Sequence, residues 1–238
     1  MGNIVTRNTE GALQQLTNGV TIVEVTSASD LPSTLADNTG YKIKGLVQTS
    51  ASYTTGVNTI IFGDSTELSI LEYTGTGTLF TGTNNNFTLF SIQLLTTDGQ
   101  LLDMTNIDYT INPAVDGFQG RDKTLNILNC VLSGPGIISP AGTSFIGVIE
   151  GYLYVKFNAN TLTGFKQGCE VSNAQHFEGQ NNVSRKWGED AGLIMLKLVE
   201  GNWSGQTGAP GSYIPTGFQV LLMTGNILHP RTVETGVY

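Results

Sequence analysis

The chain has 238 residues, of which 39% are apolar and 13% charged, and its formal net charge is −8. Its 11 Lys and Arg residues are scattered, so the sequence lacks the clustered positive charge that binding to nucleic acid or an anionic membrane requires. Low charge combined with many apolar side chains also argues against a disordered chain. The 30 Gly residues and the frequent Thr residues favour short strands joined by tight turns.

Residues 1–18 form a polar segment that we predict to be an arm, extended or with one helical turn, that contacts a neighbouring subunit. The segment has no apolar core of the kind that a signal peptide needs. We therefore expect synthesis in the cytoplasm without export. In that compartment Cys130 and Cys169 are expected to be buried, reduced thiols rather than a disulfide.

Two strand runs follow the arm, at residues 20–25 and 41–47, and from residue 58 onward the apolar clusters become short and closely spaced. Residues 58–77, 78–99, 100–136 and 137–164 each hold two or three such clusters between turn residues. The third group is longer because residues 112–122 form an apparent loop insertion. Repeating groups of about 20 residues are typical of solenoids. A β-sandwich also shows many short strands and is the competing interpretation.

We therefore predict an all-β fold, a right-handed parallel β-helix (solenoid), with a β-rich C-terminal cap or assembly region. In this prediction residues 1–18 are the arm, 19–175 the β-helix body and 176–238 the cap. The C-terminal region is less repetitive, with predicted strands at 193–199 and 218–223 separated by a Gly-rich loop. A cap is expected because the open end of a solenoid exposes unpaired strand edges.

A family resemblance rests on two stretches. The first joins a strand, the turn Ser27-Ala28-Ser29-Asp30-Leu31-Pro32, a Tyr-containing strand and the phrase Thr59-Ile60-Ile61-Phe62-Gly63-Asp64-Ser65-Thr66. It resembles the start of small right-handed β-helix proteins of tailed bacteriophages and prophages. The second, 125–132, is similar to their coil phrase, an apolar strand that ends in Asn-Cys. The resemblance covers about residues 21–174.

The resemblance implies a virion structural protein, either a tail spike or fibre or a capsid decoration or cement component. It further implies assembly as a homotrimer, with other virion proteins as partners and host surface glycan as a candidate ligand. A polysaccharide-cleaving or glycan-binding tail spike is the alternative function that this family leaves open.

Chemistry on a glycan would require specific side chains. Glycoside hydrolysis uses two carboxylates about 5–10 Å apart, and a lyase needs a base beside a cation such as Arg121 or Lys123. The candidate carboxylates are Asp98, Asp103, Asp116, Asp122 and Glu150. Asp before Gly, as at Asp98 and Asp116, is ordinary turn chemistry, so we predict a protein that is not an enzyme. His176 and His229 lack metal-ligand spacing, so no metal or other cofactor is expected.

Exposed aromatic side chains would mark a candidate interface, because aromatic residues are enriched where proteins meet. The period of two in a strand would place Tyr152 and Tyr154 on one face. The interpretation that we favour is that the aromatic residues of the C-terminal region fill the core of the cap, and they mark an interface if they are exposed. The candidate interface residues are Tyr152, Tyr154, Trp187, Trp203, Tyr213 and Phe218.

Overall fold

The structure is a computed structural model that describes residues 19–83, 85–105, 123–134, 145–164, 167–172, 174, 176–185, 196–199 and 220–228. These residues form strands almost throughout, with a single turn of 3-10 helix at Ala28–Asp30. In that turn the Asp30 carboxylate accepts hydrogen bonds from the backbone N–H groups of Thr26 and Ser27, at 2.8 and 2.9 Å. These charge-assisted bonds hold the pKa of Asp30 below its usual range.

The strands belong to three sheets, here named A, B and C. Sheet A contains β1 (Thr21–Val25), β2 (Thr39–Ile43), β5 (Thr59–Gly63), β8 (Phe87–Phe90), β11 (Thr124–Leu128), β14 (Tyr154–Asn158), β17 (His176–Gln180) and β20 (Val220–Thr224). Sheet B contains β4 (Tyr53–Thr54), β7 (Thr78–Thr83), β10 (Gln100–Thr105), β13 (Phe145–Glu150), β16 (Gln167–Ser172) and β19 (Leu196–Val199). Sheet C contains β3 (Gly45–Thr49), β6 (Ser69–Tyr73), β9 (Gln93–Thr96), β12 (Val131–Ser133), β15 (Thr161–Thr163), β18 (Val183–Arg185) and β21 (Ile227–Leu228).

From β2 onward the chain visits the sheets in the repeating order A, C, B, and each strand pairs in parallel with the strand one coil away. Ile61, for example, lies opposite Tyr41 on one side and Leu89 on the other. This arrangement confirms the predicted all-β parallel β-helix. It excludes the β-sandwich, whose sheets are antiparallel. The hand of the coil stays a prediction, which follows from the right-handed preference of parallel crossovers.

The core runs along the inside of all three sheets. In sheet A, four inward residues from consecutive coils stand in register, and all are buried: Ile61, Leu89, Ile127 and Phe157. Each such side chain stabilises the fold by roughly 1.5–3 kcal/mol relative to an exposed position. Because each coil contributes only a few of them, no coil buries its apolar side without its neighbours.

The corner between sheets A and C is a short turn that repeats in five coils. One residue of each turn adopts a left-handed conformation, with φ between 50° and 64°. These residues are Ser91, Asn129, Ala159, Asn181 and Gly225. The left-handed residue redirects the chain from one sheet to the next, which explains why Asn and Gly are frequent here.

The next residue in three successive corners is an Asn whose side chain bonds the coils together. The backbone N–H of Asn160 donates to Asn182 Oδ1 at 3.0 Å, and the N–H of Asn182 donates to Asn226 Oδ1 at 3.0 Å. Each side-chain amide also donates to a strand carbonyl; Asn182 Nδ2 lies 2.6 Å from the Phe157 oxygen. Cys130 extends the series, since its N–H donates to Asn160 Oδ1. We call Asn160, Asn182 and Asn226 the corner Asn ladder.

The parallel stacking continues past residue 175, where the sequence analysis places the end of the body. β17 pairs with β14, and β20 pairs with β17, in the same sheet A. The predicted strands at 193–199 and 218–223 are present as β19 and β20, and both join existing sheets. Long stretches of sequence precede these two strands, so the repeat is not recognisable in this part of the sequence. The arm at 1–18 and the loop at 112–122 lie outside the described residues, and the role of 176–238 as a cap stays a prediction.

We predict that replacing the central member of the corner Asn ladder weakens the fold. Asn182→Ala leaves the buried Asn160 N–H and the Phe157 carbonyl without these side-chain partners, which costs about 2–4 kcal/mol of unfolding free energy. Urea denaturation measures the change. The matched control is Asn126→Ala on the outer face of sheet A, where the half-buried Asn bonds a side-chain hydroxyl, that of Thr88, rather than backbone groups. Equal losses in both variants would contradict the structural role of the ladder.

Candidate functional site

Tyr152 and Tyr154 do not share a face, and this part of the predicted interface is wrong. Tyr152 is fully buried, and its hydroxyl donates to the Asn85 carbonyl at 3.2 Å. Burial also raises the pKa of its phenol. The reason for the error is that β14 begins only at Tyr154, so the alternation of a strand does not extend back to Tyr152. Tyr154 is 40% exposed and remains available as a surface residue.

The four other aromatic candidates belong to the C-terminal third of the chain. Trp187, Trp203, Tyr213 and Phe218 lie outside the described residues. Their role at an interface stays a prediction.

Tyr154 forms part of a polar surface on the outer face of sheet A. Its ring stacks on that of His176, with centroids 4.6 Å apart and planes inclined by 22°. The pairing of β14 with β17 causes this contact, because it places Tyr154 directly opposite His176. We call these two residues with their outward neighbours Lys156 and Glu178 the Tyr154–His176 surface. Aromatic rings with polar edges suit contact with a sugar ring or with a partner side chain.

Hydrogen bonds hold the polar side chains next to this stack. Asn158 Nδ2 donates to Glu178 Oε1 at 2.6 Å, and the Gln180 N–H donates to Asn158 Oδ1 at 2.9 Å. The contact between His176 and Tyr154 is not evident in the sequence, because 22 residues separate them. The recurring apolar clusters predict which residues are paired only when the number of residues in this coil is known.

The candidate catalytic carboxylates fall into three groups. Asp116 and Asp122, together with Arg121, lie outside the described residues. Asp103 and Glu150 lie on the outer face of sheet B, in the adjacent strands β10 and β13, where Thr105 rather than Asp103 is opposite Glu150. With strands about 4.8 Å apart and residues about 3.3 Å apart along a strand, their Cα atoms are roughly 8 Å apart. Asp98 lies in the turn before β10, as its Asp-Gly sequence predicts.

Both cysteines are confirmed as buried and free of a disulfide. Burial raises the pKa of the Cys130 thiol to about 12 and also raises that of Cys169. Since the thiolate is the reactive form, neither is suited to act as a nucleophile. Within the described ranges, no group of three His, Cys, Asp or Glu residues is placed to hold a metal ion. His229 lies outside those ranges.

A shallow depression of about 260 Å³ lies on the outer face of sheet A near the start of the described chain. Its lining is mixed, with apolar Val20 and Ile60 beside Asn side chains. Those side chains form a second series of contacts between coils, in which Asn58 Nδ2 donates to Asn38 Oδ1 and Asn86 Nδ2 donates to Asn58 Oδ1. The depression is therefore a feature of neighbouring coils rather than of a single loop.

Comparison with known proteins finds no matching family model, no matching curated protein and no matching solved structure. Across the part of the chain that the structure describes, no helix has the length and apolar character needed to cross a membrane.

The two neighbouring tyrosines provide a direct test of these placements. We predict that Tyr152→Ala lowers the unfolding free energy by about 3–5 kcal/mol because it empties a core site. Tyr154→Ala is expected to change it by less than about 1 kcal/mol, since the side chain is partly exposed. Chemical denaturation of both variants measures the difference. A larger loss for Tyr154→Ala would reverse the assignment of core and surface.

Proposed function

We propose that this protein is a non-enzymatic structural component of a bacteriophage particle, a rigid β-helix attached to the particle surface. The observation that supports this role most strongly is the continuous parallel stacking of coils through three sheets. Coils that are hydrogen-bonded to their neighbours in three sheets resist bending, and their paired strands resist local opening and proteolysis. The sequence resemblance described above supports the phage setting.

The arrangement of polar side chains also favours a structural role. The corner Asn ladder and the second Asn series use their hydrogen-bonding groups within the fold, between consecutive coils. Both thiols are buried. The partners in this proposal are other virion proteins and two further copies of the chain, with attachment through the terminal regions as a tail spike, a fibre or a capsid decoration.

The position of the protein in intact particles tests this proposal. We expect purified particles to contain the protein at a fixed copy number divisible by three, and electron microscopy of antibody-labelled particles to locate it at the surface. The isolated protein is expected to have three times the 25.4 kDa mass of the chain, measured by light scattering. Absence from purified particles would refute the proposal.

A second candidate function, glycan binding by a tail spike, is favoured by the Tyr154–His176 surface. Binding of host surface polysaccharide is expected to be lost in Tyr154→Ala and retained in Leu46→Ala, which alters an exposed side chain on sheet C. Incubation of the same polysaccharide with the unmodified protein tests for cleavage. Turnover that disappears in Asp103→Asn or Glu150→Gln would establish an enzyme instead.

A further inference from the structure

A single row of side chains crosses the outer face of sheet A from coil to coil. At one end Asn58 Nδ2 donates to Asn38 Oδ1 at 2.8 Å, and Asn86 Nδ2 donates to Asn58 Oδ1 at 2.7 Å. The row continues because the backbone N–H of Thr124 donates to Asn86 Oδ1 at 2.7 Å, and Thr124 pairs with Tyr154. We call the following residues the axial row: Asn38, Asn58, Asn86, Thr124, Tyr154 and His176.

The axial row joins the two surface features described above. Its three Asn residues line the depression, and its last two residues form the aromatic stack of the Tyr154–His176 surface. All six residues of the row are exposed or half-buried. They belong to six neighbouring strands of sheet A, and five strand-to-strand steps of about 4.8 Å give the row a length of roughly 24 Å. The depression and the Tyr154–His176 surface are therefore the two ends of one strip.

The strip offers the contacts that a sugar chain needs. The side-chain amide nitrogens of Asn58 and Asn86 each carry a second hydrogen beyond the one that they donate along the row, and this hydrogen can be donated to a hydroxyl oxygen. Val20 and Ile60 contribute apolar atoms to the depression, and the Tyr154 ring contributes an aromatic face at the other end. The C–H groups of a sugar ring pack on such apolar surfaces while its hydroxyls bond to amides.

The charges of the strip favour a neutral ligand over an acidic one. The axial row contains no Lys, Arg, Asp or Glu. Lys156 and Glu178, which flank its last two residues, lie opposite each other on β14 and β17, so their charges offset each other. The formal net charge of the whole chain is −8, and its field repels an anionic polysaccharide. A neutral sugar chain meets no such repulsion.

We propose that the strip binds a neutral polysaccharide that lies parallel to the axis of the β-helix. This inference rests on glycan binding, the second candidate function, and extends the site from the Tyr154–His176 surface to the whole axial row. One hexose unit is about as long as one strand-to-strand step of 4.8 Å, so about five units cover the row. The depression holds the units at one end, and the Tyr154 ring packs against a unit at the other end.

An array of neutral and acidic bacterial polysaccharides, followed by calorimetry on the polysaccharide that binds most tightly, tests the proposal on the full-length protein. We expect Asn58→Gly to lower the affinity for a neutral polysaccharide about tenfold, because an amide that lines the depression is lost. Gly preserves the backbone at this position, where φ is 55°. Tyr154→Ala is expected to lower the affinity by a similar factor through the opposite end of the strip.

Asn129→Gly is the matched control. Asn129 also has a left-handed φ, of 54°, and its Nδ2 also bonds a neighbouring coil, donating to Ser91 Oγ at 2.8 Å. It follows the last residue of β11, whereas Thr124 is the first, so it lies roughly 16 Å from the axial row. Asn129→Gly is therefore expected to bind like the unmodified protein. Equal losses of affinity in the two Gly variants would contradict the proposal.

Oligosaccharides released from the same polysaccharide by partial hydrolysis measure the length of the site. The affinity is expected to rise with each added unit up to about five units and then to stay constant. Normal affinity in Asn58→Gly together with lost affinity in Tyr154→Ala would overturn the extended site and leave glycan binding at the Tyr154–His176 surface intact. Binding of acidic polysaccharides alone would overturn the neutral ligand, and binding of no polysaccharide would refute both this inference and the second candidate function.

Discussion

Pairing of backbone hydrogen bonds between consecutive coils is the constraint on which the rest of this structure depends. Each inner strand of a sheet lies between its equivalents one coil before and one coil after, as Ile61 does between Tyr41 and Leu89. Buried N–H and C=O groups must be paired, and a single coil has no strand with which to pair its own. Strand positions are therefore fixed along the axis, whereas the connections between strands are free to vary in length. The separation between equivalent Asn residues ranges from 20 residues, between Asn38 and Asn58, to 44, between Asn182 and Asn226.

The corners impose a second constraint, because a tight turn leaves backbone groups that no strand can reach. The corner Asn ladder solves this with side chains: Asn182 accepts from the N–H of Asn160 and donates to the Phe157 carbonyl. At Cys130 the side chain lacks an amide, yet its backbone N–H still bonds Asn160. The preceding residue must adopt a positive φ, which Ala159 tolerates at some cost in conformational energy. The few corner residues therefore contribute strongly to the specificity of the fold, because they bond backbone groups and fix the turn conformation.

The fold class was predictable because short apolar runs bounded by Gly and Asn occur wherever a coil crosses a sheet. The placement of particular side chains was not. Tyr152 and Tyr154 are expected on one face, but the strand begins at Tyr154, so the alternation of a strand does not extend to Tyr152. The contact between Tyr154 and His176 depends on coil length, which long connections conceal. The burial of Phe62 on the outer face depends on packing with Val20 and Leu128, which periodicity in a strand does not reveal.

The most direct test of this account is amide hydrogen exchange at the corners, measured by NMR on the intact protein. The N–H groups of Cys130, Asn160 and Asn182 lie outside the strands, and Asn side chains of the following coil accept from all three. If in-register stacking holds the coils together, these amides exchange as slowly as those of the flanking strands, because each opens only when its coils separate. Exchange at the rate of an exposed loop, with slow exchange confined to the strands, would contradict the corner Asn ladder and the stacking it stabilises.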